Sequence, residues 1–260
     1  MVATACALTL AACASDQLDL AGGGVSTAAI SNPNSPFGQL GGNGTSADDE
    51  TTGFNPFEER PDTLRPRLVV IENPTVQQVM KASPLPEMSW GRPDAPITVI
   101  KYASLTCPIC RKFQRQVYPK FKSNYIDTGK VRYIIREFPI GRSSGNATIA
   151  LRCAKPQKYM ALYTAFLNQQ NRWVSQDVRL HAIHAVAKPF GLSRAQFDAC
   201  LENQKMISGL KWIKDRGRTL GVIGTPNFFI QGKLYKKALG YEDLKREVDA
   251  ALALTLASAG

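Results

Sequence analysis

The chain has 260 residues, 44% of them hydrophobic, and a formal net charge of +11. This composition is typical of a globular protein with a real core, and no run of apolar residues is long enough to cross a membrane. The charge is uneven: residues 1–65 carry eight acidic and two basic side chains, a net −6, which leaves +17 on residues 66–260. The basic residues are scattered without an organising motif, so we expect no nucleic-acid partner.

Residues 1–13 predict a targeting segment. The apolar run Ala5–Ala12 is too short to span a bilayer. It leads into Leu10-Ala11-Ala12-Cys13, which resembles a bacterial lipobox, with Cys13 as the lipidated first residue of the mature protein. No lysine or arginine precedes the run, so an apolar N-terminus without a targeting role is the alternative. We expect a periplasmic lipoprotein anchored to the membrane through Cys13.

Residues 14–65 predict a flexible, disordered tether. They are rich in Gly, Ser, Thr, Asn, Asp and Pro, as in the glycine run Gly22–Gly24. Such a segment buries too little apolar surface to offset the entropy of ordering it. The folded domain is therefore predicted at residues 66–260.

The elements predicted for residues 66–260 alternate between strands and helices, with hydrophobic periods of 2 and 3.6 respectively. From about residue 143 to residue 220 the pattern is helical throughout. The remaining predictions, in chain order, are a strand at Leu68–Ile71, a helix at Thr75–Lys81, a strand at Ile97–Leu105, a helix at Pro108–Asn124, a strand at Val131–Phe138, a hairpin of Asn227–Ile230 with Leu234–Lys237, and a helix at Tyr241–Leu254. This order predicts an α/β fold with a helical insertion.

The pair Cys107 and Cys110 lies at the start of the predicted helix Pro108–Asn124. Free backbone N–H groups and the helix dipole favour a thiolate at Cys107, and Pro108 suits the first helical turn. Three residues further on, Cys110 lies on the same side and can resolve a mixed disulfide. We expect thiol–disulfide exchange. A zinc site and a purely structural disulfide are the alternatives.

Two further cysteines, Cys153 and Cys200, lie in the helical block. In an oxidising compartment they predict a structural disulfide, worth up to about 4 kcal/mol on a chain-entropy estimate. The alternative is a pair of buried free thiols that pack as small hydrophobic groups. We expect no metal site.

Several motifs together resemble the DsbA-type thiol–disulfide oxidoreductases, which have a thioredoxin-like fold. They are Ser83–Pro86, Gly91–Val99, Tyr102–Cys110, Arg136–Pro139 and Gly224–Ile230. The resemblance covers about residues 80–255. It implies that Thr225-Pro226 is a cis-proline loop facing the cysteine pair, with a trans turn proline as the alternative. It also implies that Cys153 and Cys200 are an additional cysteine pair found in many members.

Three departures from the family pattern matter. Thr225 precedes the proline, a residue found there in several isomerase- and reductase-like relatives as well as in oxidases. Ile109 stands where strongly oxidising members have histidine, so we expect a less oxidising disulfide. Lys101 stands where the family has a buried carboxylate, and strand alternation points it into the sheet. A buried ammonium would stabilise nearby thiolates, and a neutral amine would serve as a base for Cys110. The alternative is that the Lys101 head group reaches water or pairs with Glu137.

The function predicted from these residues is disulfide exchange on unfolded exported proteins in the cell envelope, with oxidation favoured. Cys107 forms the mixed disulfide, Cys110 resolves it, and the Thr225-Pro226 loop holds the substrate. No dissociable cofactor is needed, and a membrane redox partner recycles the cysteines. The alternatives are a reductase or isomerase of the same fold and a tethered chaperone for Cu(I), an ion that soft thiolates select.

Overall fold

Five strands form one mixed sheet within residues 69–258, the part of the chain that the computed structural model describes. The strands are β1 Met88–Trp90, β2 Ile97–Ala103, β3 Val131–Glu137, β4 Asn227–Ile230 and β5 Lys233–Tyr235. Their order across the sheet is β1-β3-β2-β4-β5. Only β2 and β3 are parallel, while the other neighbouring pairs are antiparallel. The predicted lipidation site and tether lie outside the described residues.

Strand β2 is the centre of the sheet, paired on both edges. Apart from Thr98, every residue of β2 is buried, as expected for a continuous apolar run covered on both faces. Lys101 pairs with Ile135 of β3 and with Phe228 of β4. This lysine therefore lies in the middle of the sheet.

Ten α-helices surround the sheet within the described residues. They are α1 Val76–Val79, α2 Pro108–Gln116, α3 Tyr118–Phe121, α4 Gly141–Cys153, α5 Tyr159–Asn168, α6 Gln170–Trp173, α7 Leu180–Ala187, α8 Arg194–Leu201, α9 Gln204–Thr219 and α10 Tyr241–Ala257. A π-helical turn at Lys122–Ile126 and 3₁₀ turns at Pro156–Lys158 and Lys188–Phe190 complete the helical structure there. Six of these helices, α4 to α9, lie between β3 and β4, where the sequence predicts a helical insertion.

The two faces of the sheet contribute to two different hydrophobic clusters. One face, which includes Val99 and Phe228, packs on the larger cluster with α2, α5 and α10. The opposite face, with Ile100 and Phe229, packs with Val79 and Leu220 at the ends of α1 and α9. Alternation along β2 places Lys101 on the face of the larger cluster. That face also carries α2 and the cysteine pair.

Two predicted elements differ from the structure, and one strand of the structure was not predicted. Val69–Ile71 is not a strand. The backbone N–H of Ile71 donates a hydrogen bond to the carbonyl oxygen of Thr219, at 2.8 Å, and Thr219 is the last residue of helix α9. The helix predicted at Pro108–Asn124 ends at Gln116, and a new helix begins at Tyr118, next to Pro119, which has no N–H to continue the first. The edge strand β1 was not predicted, because three residues are too few to show an alternating pattern.

Candidate active site

Cys107 is the N-cap residue of α2, with an extended backbone conformation. Its Sγ accepts a hydrogen bond from the backbone N–H of Cys110, at 3.1 Å, and so satisfies one of the free donors of the helix start. Pro108 follows in the first turn, where its missing N–H costs nothing. Cys107 is partly exposed, whereas Cys110 is fully buried. One thiol is therefore accessible from the surface, and the other is enclosed in the core.

The loop before β4 faces Cys107 across 118 residues of sequence. The Thr225–Pro226 peptide bond is cis, as the family resemblance implied. The Cys107 thiol donates a hydrogen bond to the carbonyl oxygen of Thr225, at 3.2 Å. Asn227 holds the loop, because its Nδ2 donates to Pro226 O and its Oδ1 accepts from Ile223 N–H. The role of Asn227 was missed from the sequence, where it counted only as the start of a strand.

The pKa values of the two thiols are shifted in opposite directions. A hydrogen bond from the Cys110 side chain favours the Cys107 thiolate and lowers the pKa of Cys107 to about 6, against the effect of partial burial. The side chain of Thr225 and the N–H groups of Cys110 and Ile109 act in the same direction as the Cys110 side chain. Burial raises the pKa of Cys110 well above its usual range, and the hydrogen bond to Cys107 acts in the same direction. Cys107 is therefore the more readily ionised of the two thiols at neutral pH, and Cys110 stays protonated.

Lys101 lies in the core beneath the cysteine pair, completely buried. Its Nζ has no hydrogen-bond partner among the described residues and lies over aromatic rings, 4.5 Å from the centre of Phe113 and 5.1 Å from that of Tyr163. Burial lowers the pKa of Lys101 to about 8, and the charges of Cys110 and Cys107 oppose this shift. The alternative in which the head group reaches water is wrong.

Glu137 does not pair with Lys101 either. Its carboxylate accepts two hydrogen bonds from the guanidinium of Arg152 and one from the hydroxyl of Tyr159. Both charged side chains are almost fully buried. Glu137 therefore neutralises Arg152. The alternative in which Lys101 pairs with Glu137 is wrong, because Arg152 of α4 and Tyr159 already bind the carboxylate.

Two polar contacts that sequence reasoning missed hold the segment before Cys107. The side-chain amide of Gln170 donates to the carbonyl oxygens of Leu105, at 2.7 Å, and Cys107, at 3.1 Å. The buried hydroxyls of Ser104 and Ser144 lie 2.8 Å apart. These contacts join α6 and α4 to the start of α2. No local pattern shows them, because they connect residues 40 to 65 positions apart.

Large apolar side chains are exposed around Cys107. Ile109 is 46% exposed, Ile140 is 48% exposed, and Ile223, in the loop before Thr225, is 77% exposed. The Thr106 hydroxyl donates to the carbonyl oxygen of Ile140 and so brings that residue to the start of α2. Exposed apolar groups grouped in one place are typical of an interaction surface.

Cys153 and Cys200 form a disulfide between the end of α4 and α8, with their Cα atoms 6.1 Å apart. The pairing is the one predicted from the sequence. Across residues 69–258 no cluster of three or more His, Cys, Asp or Glu side chains has a metal-binding arrangement. Among the helices of the same range, none combines the length and the apolar character that a membrane crossing requires.

Comparison with known proteins gives consistent similarities. The sequence profile of a family described as thioredoxin matches residues 84–250. A Rickettsia typhi protein named "Putative protein-disulfide oxidoreductase" is 27% identical over 168 residues, which are 64% of this chain and 62% of the relative. A Bacillus anthracis protein named "Probable disulfide bond formation protein D" is 26% identical over 174 residues, 64% of this chain and 78% of the relative. The chain spans less than two thirds of the Rickettsia relatives it matches.

Among solved structures, the crystal structure of α-DsbA1 from Wolbachia pipientis is similar with a TM-score of 0.63 and 28% identity, over 72% of this chain and all of that one. Oxidised BdbD from Bacillus subtilis, with a TM-score of 0.60 and 19% identity, covers 71% of this chain and 98% of its own and shares the fold. The predicted thioredoxin-like α/β fold with a helical insertion and the DsbA-type resemblance are both confirmed.

Proposed function

We propose that this chain, which belongs to the thioredoxin family and resembles its DsbA-type members, catalyses thiol–disulfide exchange on exported proteins. One observation carries the proposal. Cys107 Sγ lies between the backbone N–H of Cys110 and the carbonyl oxygen of Thr225, partly exposed and with a pKa lowered to about 6. A thiolate held at a helix start beside a buried second thiol is suited to attack a disulfide and to leave again.

The reaction proceeds in two exchanges. In the oxidising direction a substrate thiolate attacks Cys107 Sγ of the Cys107–Cys110 disulfide, and Cys110 leaves as a thiolate that takes up a proton. A second substrate thiolate then attacks the substrate sulfur of the mixed disulfide and releases the Cys107 thiolate. The substrate gains one disulfide, and the two cysteines of the chain gain the two electrons.

The loop before β4 supports the binding of an extended substrate. Pro226 has no N–H that could compete for the sulfur, and the backbone of Thr225 stands next to Cys107. The exposed side chains of Ile109, Ile140 and Ile223 offer apolar contacts on the same side. Unfolded chains present both an accessible backbone and apolar side chains, so unfolded exported proteins are the proposed substrates.

Oxidation is the proposed direction. The names of the Bacillus relatives refer to disulfide bond formation, and the lowered pKa of Cys107 favours its release as a leaving thiolate. Ile109 gives the Cys107 thiolate no side-chain donor, which makes the proposed oxidant milder than one with a histidine there. Reduction or isomerisation by the same cysteines is the alternative direction.

The cell envelope is the proposed location. The lipobox-like residues 10–13 support a lipid anchor on Cys13, and the composition of residues 14–65 supports a tether that lets the domain work away from the membrane. The Cys153–Cys200 disulfide fits an oxidising compartment. A membrane redox partner would reoxidise Cys107 and Cys110.

The test compares insulin reduction with oxidation of reduced ribonuclease by the full chain. We expect oxidation of ribonuclease, its loss in Cys107→Ser, and a trapped mixed disulfide in Cys110→Ser. Exposed Ser123→Ala is the control and should match the wild type. Activity only on insulin would reverse the direction. Absence of both activities, with Cu(I) retained through desalting, would replace the proposal by the copper chaperone.

A further inference from the structure

Lys101 is a buried base whose Nζ has no hydrogen-bond partner among the described residues, the sulfur of Cys110 included, and it lies on the face of the sheet that packs against the buried Cys110 thiol. Its Nζ contacts the ring of Phe113, three residues after Cys110 on the same buried face of α2. Cys110 is fully buried as well. In this apolar environment a separate ammonium and a separate thiolate are each costly, whereas one proton passed between them leaves a neutral pair or an ion pair.

We propose that Lys101 is the internal base of the cysteine pair, accepting the proton of Cys110 when Cys110 attacks and returning it when Cys110 leaves. This inference rests on the proposed function and deepens it. When Cys110 resolves a mixed disulfide, its proton moves to the Lys101 amine, the Cys110 sulfur bonds to Cys107 Sγ, and the substrate leaves as a thiolate. In the oxidising direction the same proton moves from the ammonium to the leaving Cys110 thiolate.

The other titratable groups near Lys101 do not fit this role. Tyr133 and Tyr163 point their hydroxyls into the same core without partners, and burial raises the pKa of both well above the usual range, so they stay protonated. Glu137 lies on the same face of the sheet but is bound by Arg152 and Tyr159. In the proposed reaction Cys107 is itself the attacking thiolate, so it does not serve as the base for Cys110.

The surrounding rings give the protonated amine a favourable place. Nζ lies 4.5 Å from the centre of Phe113, 5.1 Å from that of Tyr163 and 5.8 Å from that of Tyr133. The negative faces of aromatic rings attract a cation, most strongly where water is excluded. The lowered pKa of Lys101, about 8, leaves a fraction of the amine neutral at physiological pH and ready to accept a proton.

The first experiment follows the two exchange steps separately. The reduced full chain reacts with a disulfide-linked peptide pair at a series of pH values between 5 and 10, and each reaction is stopped with acid at set times. Mass spectrometry then measures the mixed disulfide at Cys107 and the Cys107–Cys110 disulfide. We expect the resolution rate of the wild type to rise through pH 8. Lys101→Met should slow resolution at least tenfold at pH 7 and move its rise at least one pH unit upward, with formation of the mixed disulfide changed less than threefold.

The matched control is Lys112→Met, which removes an exposed lysine from α2, the helix that carries Cys110, and should leave both steps within twofold of the wild type. Resolution by Lys101→Met with the wild-type pH profile would overturn the proposal.

A second measurement needs no variant and keeps the proposal testable if Lys101→Met does not fold. The ¹³Cε chemical shift of Lys101 is titrated in the reduced and the oxidised protein. Because thiolates stabilise the ammonium, oxidation should lower the pKa of Lys101 by at least half a unit. Equal pKa values in both states would overturn the proton transfer. Failure to form any mixed disulfide would instead contradict the proposed function, with the ¹³C titration still deciding the pairing of Lys101 with Cys110.

Discussion

The carbonyl oxygen of Thr225 lies 3.2 Å from Cys107 Sγ and accepts a hydrogen bond from its thiol. The contact places the backbone of the loop before β4 against the exposed sulfur. A chain bound to Cys107 would therefore have the backbone of Thr225 within its reach. The Cys107 sulfur and the proposed binding surface lie together, although Cys107 and Thr225 are 118 positions apart in the sequence.

The ionisation of Cys107 predicts a pH-dependent reactivity. Because its pKa is lowered to about 6, alkylation by iodoacetamide should rise through pH 6 and level off by about pH 8, while Cys110 stays unmodified. Cys110→Ala keeps the backbone N–H bond to Cys107 but removes the side chain that contributes most to its lowered pKa, so the midpoint should move to higher pH. Mass spectrometry of the peptide that contains Cys107 measures both. An unchanged midpoint in Cys110→Ala would contradict the assigned cause.

The buried pair of Glu137 and Arg152 predicts a large loss of stability. Arg152→Met leaves the Glu137 carboxylate buried without its cation, which costs about 3–5 kcal/mol in the free energy of unfolding. Urea denaturation of the oxidised protein measures the loss. The control is Arg194→Met, whose pair with Asp198 is half exposed and worth at most about 1 kcal/mol. Equal losses in the two variants would refute the assigned role of Glu137.

The hydrogen bonds of Gln170 predict that this residue, which is not part of the cysteine pair, affects the reaction rate of Cys107. Gln170→Met removes the donor to the carbonyl oxygens of Leu105 and Cys107, so about 1–3 kcal/mol of stability should be lost. The start of α2 also loses a fixed position, and mixed-disulfide formation should slow severalfold. The neighbouring Gln169→Met removes only an exposed contact with Arg172 and serves as the control. A wild-type exchange rate in Gln170→Met would show that the amide only supports the fold.

The disulfide between Cys153 and Cys200 predicts stability without a direct effect on exchange. It joins residues 47 positions apart, so the double variant Cys153→Ala, Cys200→Ala should lose about 2–4 kcal/mol in the free energy of unfolding. Its rate of mixed-disulfide formation at pH 7 should stay within twofold of the wild type. Chemical denaturation and the peptide exchange assay measure the two quantities. A large loss of exchange in a folded double variant would make this disulfide part of the active site.

Local sequence determined much of the chemistry. The cysteine spacing, Pro108 and the helical pattern placed a thiol at a helix start, because N-capping depends on a few adjacent residues. Strand alternation placed Lys101 inside the sheet for the same reason, since a side chain's face follows from its position in the strand. The pairing of Cys153 with Cys200 followed from the small number of cysteines left over.

Only the tertiary structure decided which distant groups meet these residues. The sequence left Glu137 open as a partner for Lys101, but the fold brings Arg152 of α4 to Glu137, and Lys101 lies among aromatic rings instead. Gln170 reaches Leu105 and Cys107 from 63 or more residues away, a distance that no local pattern reports. The exposed sulfur of Cys107 was predictable from its own neighbours, but its contact with Thr225 needed the sheet to bring β4 beside β2.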